Sequence, residues 1–375
     1  MKRVSNIILA VSLAAVTALS GCGNAASTAS TEASASGTST SAAPASGAAA
    51  SEAPAATGTS EAGNAAAWKP GSTVTIYCVS AAGGATDYCN RAMAQALTDC
   101  WGVSVQVVNQ PGGSGGVAAG AVWNTEHNGL SVLGFSEALF SQRSLGVFDQ
   151  APSGWDLMPI LNTTAVLSVP QNSPYKTMDD LLAAAKDKKI NMASGTAGAV
   201  WTLKTAALEK AAGLSFNRLN YEGSVPSQTA AMSGEVEFVV TGLAEQIEYI
   251  KAGKLVPLAM VETNSAEVEG VGTIPAITDF VPEFADQPQP MQCIGIAIPA
   301  DCPQEVRDSY ESAFKAAMES ATIKDAIAAR DFNTLGQWGQ DAQEIATEQE
   351  KIYSWSLFDS EQAPNDPSQF GIERP

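Results

Sequence analysis

The chain of 375 residues contains a single histidine, His127. Histidine is the commonest metal ligand and the usual base of a catalytic triad, so its scarcity argues against both kinds of site. His127 follows Glu126 and precedes Asn128 and Gly129, a context that favours a turn. The sequence therefore predicts no metal site, no cofactor and no enzymatic activity.

Basic residues are also few, with 20 Lys and Arg against 39 Asp and Glu and a net charge of −19. Binding to DNA or RNA requires clustered positive charge on the protein surface. The charge balance therefore argues against a nucleic acid partner.

The six cysteines include no pair with CxxC spacing, which argues against zinc binding and thioredoxin-like redox chemistry. Five of them follow residue 22 in the chain: Cys78, Cys89, Cys100, Cys293 and Cys302. An odd number leaves at least one thiol free. The pairs to test first for a disulfide are Cys78 with Cys89 and Cys293 with Cys302, and the spacing decides neither.

Long apolar runs are scarce, and the one at residues 7–19 is too short to span a bilayer as a helix. It follows Lys2 and Arg3 and ends in Leu19-Ser20-Gly21-Cys22. A charged start, an apolar centre and a small-residue cleavage site predict a secretory signal peptide over residues 1–21. Small residues before Cys22 predict lipid attachment to its thiol, with ordinary cleavage beside an incidental cysteine as the alternative.

Residues 22–67 predict a flexible tether behind the lipidated Cys22. From residue 23 onward they contain no aromatic residue and no Val, Ile, Leu or Met, so they cannot bury enough apolar surface to offset the entropy of ordering. A coil of about 45 residues has a root-mean-square span of roughly 35–40 Å. We expect a lipoprotein on the outer surface of a single-membrane bacterium.

The remaining residues alternate apolar strand candidates, glycine turns and helical stretches, a rhythm that predicts an α/β fold with a largely parallel sheet. The chain builds one lobe (residues 68–167), then a second (168–291), and returns to the first (292–375). Two linkers at one hinge predict a ligand cleft between the lobes.

Three glycine-containing turns each follow a strand candidate and precede a helix candidate. They lie at residues 82–87, 112–116 and 196–199. The free N–H groups and positive end of a helix start favour an anion. Singly, each turn is more often just a tight turn. Together, at strand ends facing one crevice, they indicate a carboxylate, phosphate or sulfate site.

Five short motifs occur in a consistent order from residue 73 to the C-terminus. They are Ala81-Ala82-Gly83-Gly84-Ala85-Thr86-Asp87 followed by Arg91, Asn109-Gln110-Pro111-Gly112-Gly113-Ser114-Gly115-Gly116, Tyr221-Glu222-Gly223-Ser224-Val225-Pro226, Ile250-Lys251-Ala252-Gly253-Lys254-Leu255 and Thr273-Ile274-Pro275-Ala276-Ile277. In this combination the chain resembles the substrate-binding receptors of tripartite tricarboxylate transporters, also called Bug receptors.

The resemblance implies a type II periplasmic-binding fold, with two α/β lobes holding a small carboxylate largely through backbone N–H groups and water. It also implies integral-membrane transporter subunits as partners and a monomeric receptor. Carried over by motif, the ligand-binding residues are Ala82, Gly83, Gly84, Ala85, Thr86, Asp87, Ser136, Thr196, Ala197, Gly198, Ala199, Val200, Trp201 and Tyr221.

The chain departs from the family pattern at several of these positions. Ala82 stands where the family usually has proline, and Ala85 stands where it often has glycine. The histidine that often follows the second loop in the family is missing from this chain. Trp201 is then either an aromatic wall of the cleft or a packing residue of its helix. Substrate identity is therefore not inherited from the resemblance.

Acidic residues near the first loop leave the ligand class open. Asp87 either complements the dipole of its helix or orders the loop or binds an amine, and Glu137 raises the amine possibility more weakly. An amino acid or other zwitterion is therefore the alternative to a di- or tricarboxylate ligand. An exported enzyme with paired acids and a surface scaffold are the remaining, less favoured classes.

Overall fold

The computed structural model describes residues 68–195, 198–221 and 223–375. The predicted signal peptide, Cys22 and the tether lie outside the described residues, as do Thr196 and Ala197. The described strands are β1 (Val74–Cys78), β2 (Val105–Asn109), β3 (Ser131–Phe135), β4 (Trp155–Asn162), β5 (Ala165–Pro170), β6 (Asn191–Ala193), β7 (Asn217–Leu219), β8 (Phe238–Gly242), β9 (Leu255–Met260), β10 (Ala266–Val268), β11 (Gly272–Ile274), β12 (Ile294–Pro299) and β13 (Asn333–Thr334).

The helices occupy both faces of these sheets. They are α1 (Ala85–Trp101), α2 (Gly116–Trp123), α3 (Gln142–Leu145), α4 (Met178–Asp187), α5 (Val200–Ala212), α6 (Ser224–Ser233), α7 (Leu243–Lys251), α8 (Gln304–Glu319), α9 (Ala321–Ala328) and α10 (Gln340–Asp359). The predicted α/β class is confirmed. Helix α4 begins with a capping box, in which Thr177 accepts from the N–H of Asp180 while the Asp180 carboxylate accepts from the N–H of Thr177.

The first lobe is built on a six-stranded sheet of order β13-β4-β12-β3-β1-β2. Its strand β1 pairs in parallel with β2 and β3, whereas β12 pairs antiparallel with both β3 and β4. The second lobe is built on a five-stranded sheet of order β7-β6-β8-β5-β9, in which β6 pairs in parallel with β7 and β8 and β5 pairs antiparallel with β8 and β9.

The prediction of a largely parallel sheet is therefore wrong for both lobes. The reason lies in the connections between them. Strand β12 brings the chain back into the first lobe at the edge where β3 ends, with Gly295 opposite Phe135, so it must run against β3. Strand β5 likewise starts where β8 ends, with Ala165 opposite Gly242.

These pairings make the two sheets face each other through equivalent edges. In the first lobe, β1, β2 and β3 end at the edge where β4 ends and β12 begins, with Leu161 opposite Ile294. In the second lobe, β6, β7 and β8 end at the edge where β5 begins and β9 ends. Only residues 163–164 separate β4 from β5, so the loops after the parallel strands of both lobes lie on one facing side.

One apolar core cluster contains side chains from both lobes, among them Phe135 of β3, Val240 of β8 and Leu357 of α10. The lobes are therefore packed together. Cys78, Cys89, Cys293 and Cys302 are buried in this fold and Cys100 is exposed, and all five thiols are free. Neither disulfide that the sequence suggested is present.

The part of the chain that the structure describes includes no helix with the length and apolar character that a membrane span requires. Within the same residues, no group of three or more His, Cys, Asp and Glu side chains is arranged to hold a metal ion. His127 lies in a turn as predicted, with Nδ1 at 2.5 Å from Asp301 Oδ1.

Candidate ligand site between the facing edges

The first loop follows β1 and leads directly into α1. Ala82 and Gly83 are exposed, and Gly83 has φ +91°, a conformation that side chains disfavour. Gly84 is the N-cap of α1 and supplies no side-chain cap. Because the first N–H groups of a helix have no acceptor within it, the start of α1 leaves donors available at this edge, just ahead of the buried Ala85 and Thr86.

Asp87 orders the first loop instead of presenting a free carboxylate. Its Oδ2 accepts from the N–H of Gly83 at 2.9 Å and from Nε of Arg91 at 3.1 Å, while Oδ1 accepts from Nδ2 of Asn109 at 2.7 Å. Although burial alone raises the pKa of Asp87, these hydrogen bonds and the Arg91 charge lower it overall. The geometry therefore supports loop ordering over amine binding for this residue.

The second glycine run, residues 112–116, lies beside the first loop. A side chain at Gly115 would approach Val79 at 3.2 Å, and one at Gly116 would clash with the carbonyl oxygen of Val147 at 2.8 Å. This run also fits the G-x-S-x-G pattern of hydrolase nucleophile turns, with Ser114 at φ 47°. The single histidine is bound to Asp301, so no Ser–His pair forms there.

The second loop follows β6 and leads into α5. Gly195 and Gly198 have φ +89° and +78°, and Ala199 is an N-cap of extended conformation without a side-chain cap. Ser227 accepts from the N–H of Gly195 at 3.0 Å, which anchors the loop on α6. A Cβ atom on Gly198 would lie 3.3 Å from Leu357, so the loop contacts α10 of the opposite lobe.

Glu137 belongs to the first lobe, and its side chain faces the start of α5 in the second lobe. It follows β3, and Ser136 before it caps a short turn by accepting from the N–H of Ala138 at 3.4 Å. The Glu137 side chain is buried, and the backbone amides of Cys293 and Val200 face its carboxyl group. Burial, together with the nearby charge of Glu245, raises the pKa of Glu137 to about 7 despite those amides.

Trp201 is buried and Tyr221 is half-buried, and both contact neighbouring elements of the protein. Trp201 is 4% exposed, and its ring would lie 3.1 Å from a Cβ atom on Gly242, so it packs the start of α5 against the start of α7. Tyr221 donates its backbone N–H to the carbonyl of Gly195 at 3.3 Å, but its hydroxyl faces Glu235 beyond the far end of α6. The packing interpretation of Trp201 is the one this geometry supports.

Two charged residues at the site were absent from the sequence-based candidates. The Glu245 carboxylate accepts from the N–H of Gly242 at 3.0 Å and is acted on by the charge of Arg330 at the end of α9. Arg330 lies 4.0 Å from the ring centroid of Tyr88 in α1. The sequence could have indicated Glu245, because an acid three residues after a strand-ending glycine is typical of a helix start. No local sequence pattern indicates Arg330.

A surface depression of about 400 Å³ lies elsewhere, lined by Pro170, Gln171, Asn172, Met232 and Lys254. Pro170 ends β5, which runs antiparallel to β8, so this depression lies at the edge of the second sheet opposite the glycine loops. The uncapped helix starts and the buried Glu137, not this depression, therefore define the candidate site.

Two sheets that face each other across a double connection, with glycine loops opening helices on the facing edges, define a two-lobed binding protein of type II fold. The profile of the family described as "Tripartite tricarboxylate transporter family receptor" matches residues 89–355. The chain belongs to this family of solute-binding receptors, as the sequence motifs indicated.

Individual relatives are distant but cover most of the molecule. A UPF0065 protein of Bordetella bronchiseptica is 25% identical over 251 residues, which is 66% of this chain and 73% of the relative. The solved structure "R. palustris Rpa4515 with adipate" is 21% identical with a TM-score of 0.69, covering 79% of this chain and 99% of that one. MatC from Rhodopseudomonas palustris with bound malate is 16% identical with a TM-score of 0.66, covering 77% and 99%. The likeness to the solved structures establishes the fold.

Proposed function

We propose that this receptor captures a small carboxylate-containing metabolite between its lobes and delivers it to a membrane transporter of the tripartite tricarboxylate type. The observation that carries the proposal is the pair of uncapped helix starts, α1 after Gly84 and α5 after Ala199, on the facing edges. Each has the positive end of a helix dipole and backbone N–H groups that no N-cap side chain takes, a combination that favours a carboxylate. At α5 the first of these groups, the N–H of Val200, also faces Glu137.

The relatives support a carboxylate over other anions. Two similar structures contain adipate and malate, both dicarboxylates, as the bound molecules. A dicarboxylate has one anionic group for each helix start. An amino acid or another zwitterion fits the same two starts and is the alternative within this proposal.

Attachment to the outer face of the membrane would fit this role. A lipid on Cys22 and a tether of about 45 residues would hold the receptor roughly 35–40 Å from the membrane surface. At that distance the receptor stays within reach of integral-membrane subunits while its lobes remain free to open. We propose that it acts there as a monomer.

The experiment is isothermal titration of the mature chain with a panel of di- and tricarboxylates and amino acids, for the wild type and for Ala199→Asp. The N-cap Ala199 is extended (φ −66°, ψ 152°), a conformation that suits aspartate, whose carboxylate would take the first N–H groups of α5. We expect the variant to fold and its affinity for the best ligand to fall by about tenfold or more.

Two controls separate charge at the site from charge in general. Ala199→Ser caps the same helix without a charge and should weaken binding less than aspartate does. Pro303→Asp places the same charge at the N-cap of α8, at the opposite edge of the first sheet, and should leave affinity unchanged. If no panel member binds to folded wild-type protein, the proposed function is wrong.

A further inference from the structure

We propose that the ligand carries a cationic amino group that pairs with Glu137, so that the receptor selects an amino-carboxylate over a simple dicarboxylate. The inference rests on the proposed function and names the ligand class for the same site. It follows from a buried carboxyl group that backbone amides hold in place while one of its oxygens, Oε2, has no hydrogen-bond partner among the described residues.

One carboxyl oxygen of Glu137 is unpaired although the side chain is deeply buried. The residue is 9% exposed, and its Oε2 atom has no hydrogen-bond partner among the described residues. Glu350 of α10 is buried to the same 9%, yet its Oε1 atom accepts from Nη2 of Arg143 at 2.6 Å. Burying a charge without a charged partner is costly, so the contrast indicates that a cationic partner for the free Oε2 atom of Glu137 comes from outside the chain.

Glu137 lies where a ligand would bridge the lobes. It follows β3 at the facing edge of the first lobe, and its carboxyl group faces the N–H of Val200, the first residue of α5 in the second lobe. The amide of Cys293, which immediately precedes β12 on the return from the second lobe, faces it as well. The unpaired oxygen therefore belongs to the same site as the uncapped start of α5.

The surrounding charges favour a cation at this point. Glu245 at the start of α7 adds a second negative charge beside Glu137, and no Lys or Arg of the described residues forms an ion pair with Glu137. The groups facing Glu137 from other elements are Glu245, Cys293 and Tyr353, none of them cationic. Arg330 acts on Glu245, not on Glu137.

A simple dicarboxylate meets a conflict here that an amino-carboxylate resolves. A carboxylate bound at the start of α5 comes close to Glu137, because both use the surroundings of the Val200 N–H. Like charges without a counter-charge repel each other strongly in a buried site. An ammonium group between them neutralises Glu137 while the ligand carboxylates use the starts of α1 and α5.

The test compares ligands that differ only in the amino group: succinate with aspartate, and glutarate with glutamate. Titration calorimetry of the mature wild-type chain at pH 7.5 should give the amino ligand an affinity higher by about tenfold or more in at least one pair. In Glu137→Gln, which keeps the shape and removes the charge, this preference should disappear. Glu237→Gln, at the far edge of the second sheet, is the matched control and should retain it.

A second measurement needs no variant. An ammonium bound at Glu137 lowers the pKa of that carboxyl group from about 7, so binding releases a proton near pH 6.5, whereas a bound dicarboxylate raises the pKa and takes a proton up. Titrations in buffers of different ionisation enthalpy report the sign. Proton release on amino-ligand binding supports the inference even if Glu137→Gln fails to fold.

The outcomes separate this inference from the proposed function. Dicarboxylates that bind as tightly as their amino analogues, or binding of the amino ligands with proton uptake, would overturn the role of Glu137 and leave the carboxylate receptor intact. Absence of binding by either member of every pair would instead count against the receptor proposal itself.

Discussion

The side-chain oxygen of Gln292 accepts a hydrogen bond at 3.1 Å from the backbone N–H of Thr163, and this bond joins the two connections between the lobes. Thr163 lies between β4 and β5, where the chain leaves the first lobe, and Gln292 lies just before β12, where it returns. Thr163 Oγ1 also accepts from the N–H of Ala244 in α7. The hinge is therefore built as a hydrogen-bonded unit.

Gln292→Ala should destabilise the protein through this hinge. The substitution leaves the buried N–H of Thr163 without its acceptor, which costs about 1–3 kcal/mol of unfolding free energy. Urea unfolding measures the change. Gln287→Ala is the control, because within the described residues the Gln287 side chain donates only to the carbonyl of Glu283, in an exposed contact at 3.4 Å, so its loss should cost less than about 0.5 kcal/mol. Equal effects of the two substitutions would contradict a structural role for Gln292.

Asp87→Asn should loosen the first loop in a pH-dependent way. The folded-state pKa of Asp87 is lowered, so its carboxylate contributes stability above the unfolded value of about 3.9, and this contribution is lost as the pH falls through the folded value. At pH 7 we expect a loss of about 1–3 kcal/mol and weaker ligand binding, because the Gly83 N–H and Arg91 lose a charged acceptor.

The stability difference between wild type and Asp87→Asn should shrink below about pH 4. Thermal unfolding at pH 7 and at pH 3.5 measures it. Asp99→Asn in the same helix is the control, since Asp99 is exposed and accepts only from the Gln95 side chain. A difference that stays constant with pH would show that the Asp87 charge is not what orders the loop.

Glu137→Gln should have the opposite pH dependence in the ligand-free receptor. The folded-state pKa of Glu137 is raised to about 7, above the unfolded value of about 4.3, so the stability it contributes is present at acid pH and lost as the pH rises through 7. The variant should therefore be more stable than wild type at pH 8, on the order of 1–3 kcal/mol, and not at pH 5.

Urea unfolding of ligand-free protein at pH 5 and pH 8 checks this reversal. Glu350→Gln provides the contrast, because it strands the buried Arg143 and should destabilise the protein at pH 8. A Glu137→Gln variant that is less stable than wild type at both pH values would mean that the chain itself satisfies this carboxylate.

The anchor and the site should be separable by mutation at Cys22. Cys22→Ser removes the thiol that the sequence predicts to be lipidated and leaves the ligand site unchanged. We expect unchanged affinity in the purified protein and loss of cell-associated protein and uptake. Reduced affinity of the purified variant would show that the N-terminal segment takes part in binding.

Most helices and strands were predictable because their signals are local. Thr177, a typical N-cap residue, marks the start of α4 together with the acidic Asp180. Strand β4 is difficult to recognise in the sequence because Asp156 and Pro159 interrupt its apolar pattern, and proline is unusual within a sheet. Strand direction was predicted wrongly because the antiparallel pairings of β12 and β5 come from the route of the chain between lobes and not from local patterns.

In the candidate site, too, local features were predictable from the sequence and contacts between the lobes were not. The glycine loops were visible as motifs. Loop ordering was one of the roles that the sequence left open for Asp87, and its contacts with Gly83 and Arg91 span only a few residues. The placement of Glu137 against the N–H of Val200 depends on how the lobes pack. No local pattern could therefore make Glu137 a stronger candidate than Asp87 for binding an amine. Trp201 had two interpretations until its contact with Gly242 distinguished them.

The most direct test of the account is a crystal structure of the mature receptor with the tightest-binding panel member. We predict a ligand between the facing edges, with carboxylate oxygens within hydrogen-bond distance of the N–H groups that open α1 after Gly84 and α5 after Ala199. A ligand seated elsewhere, for example in the depression lined by Pro170 and Lys254, would contradict the assignment of the site.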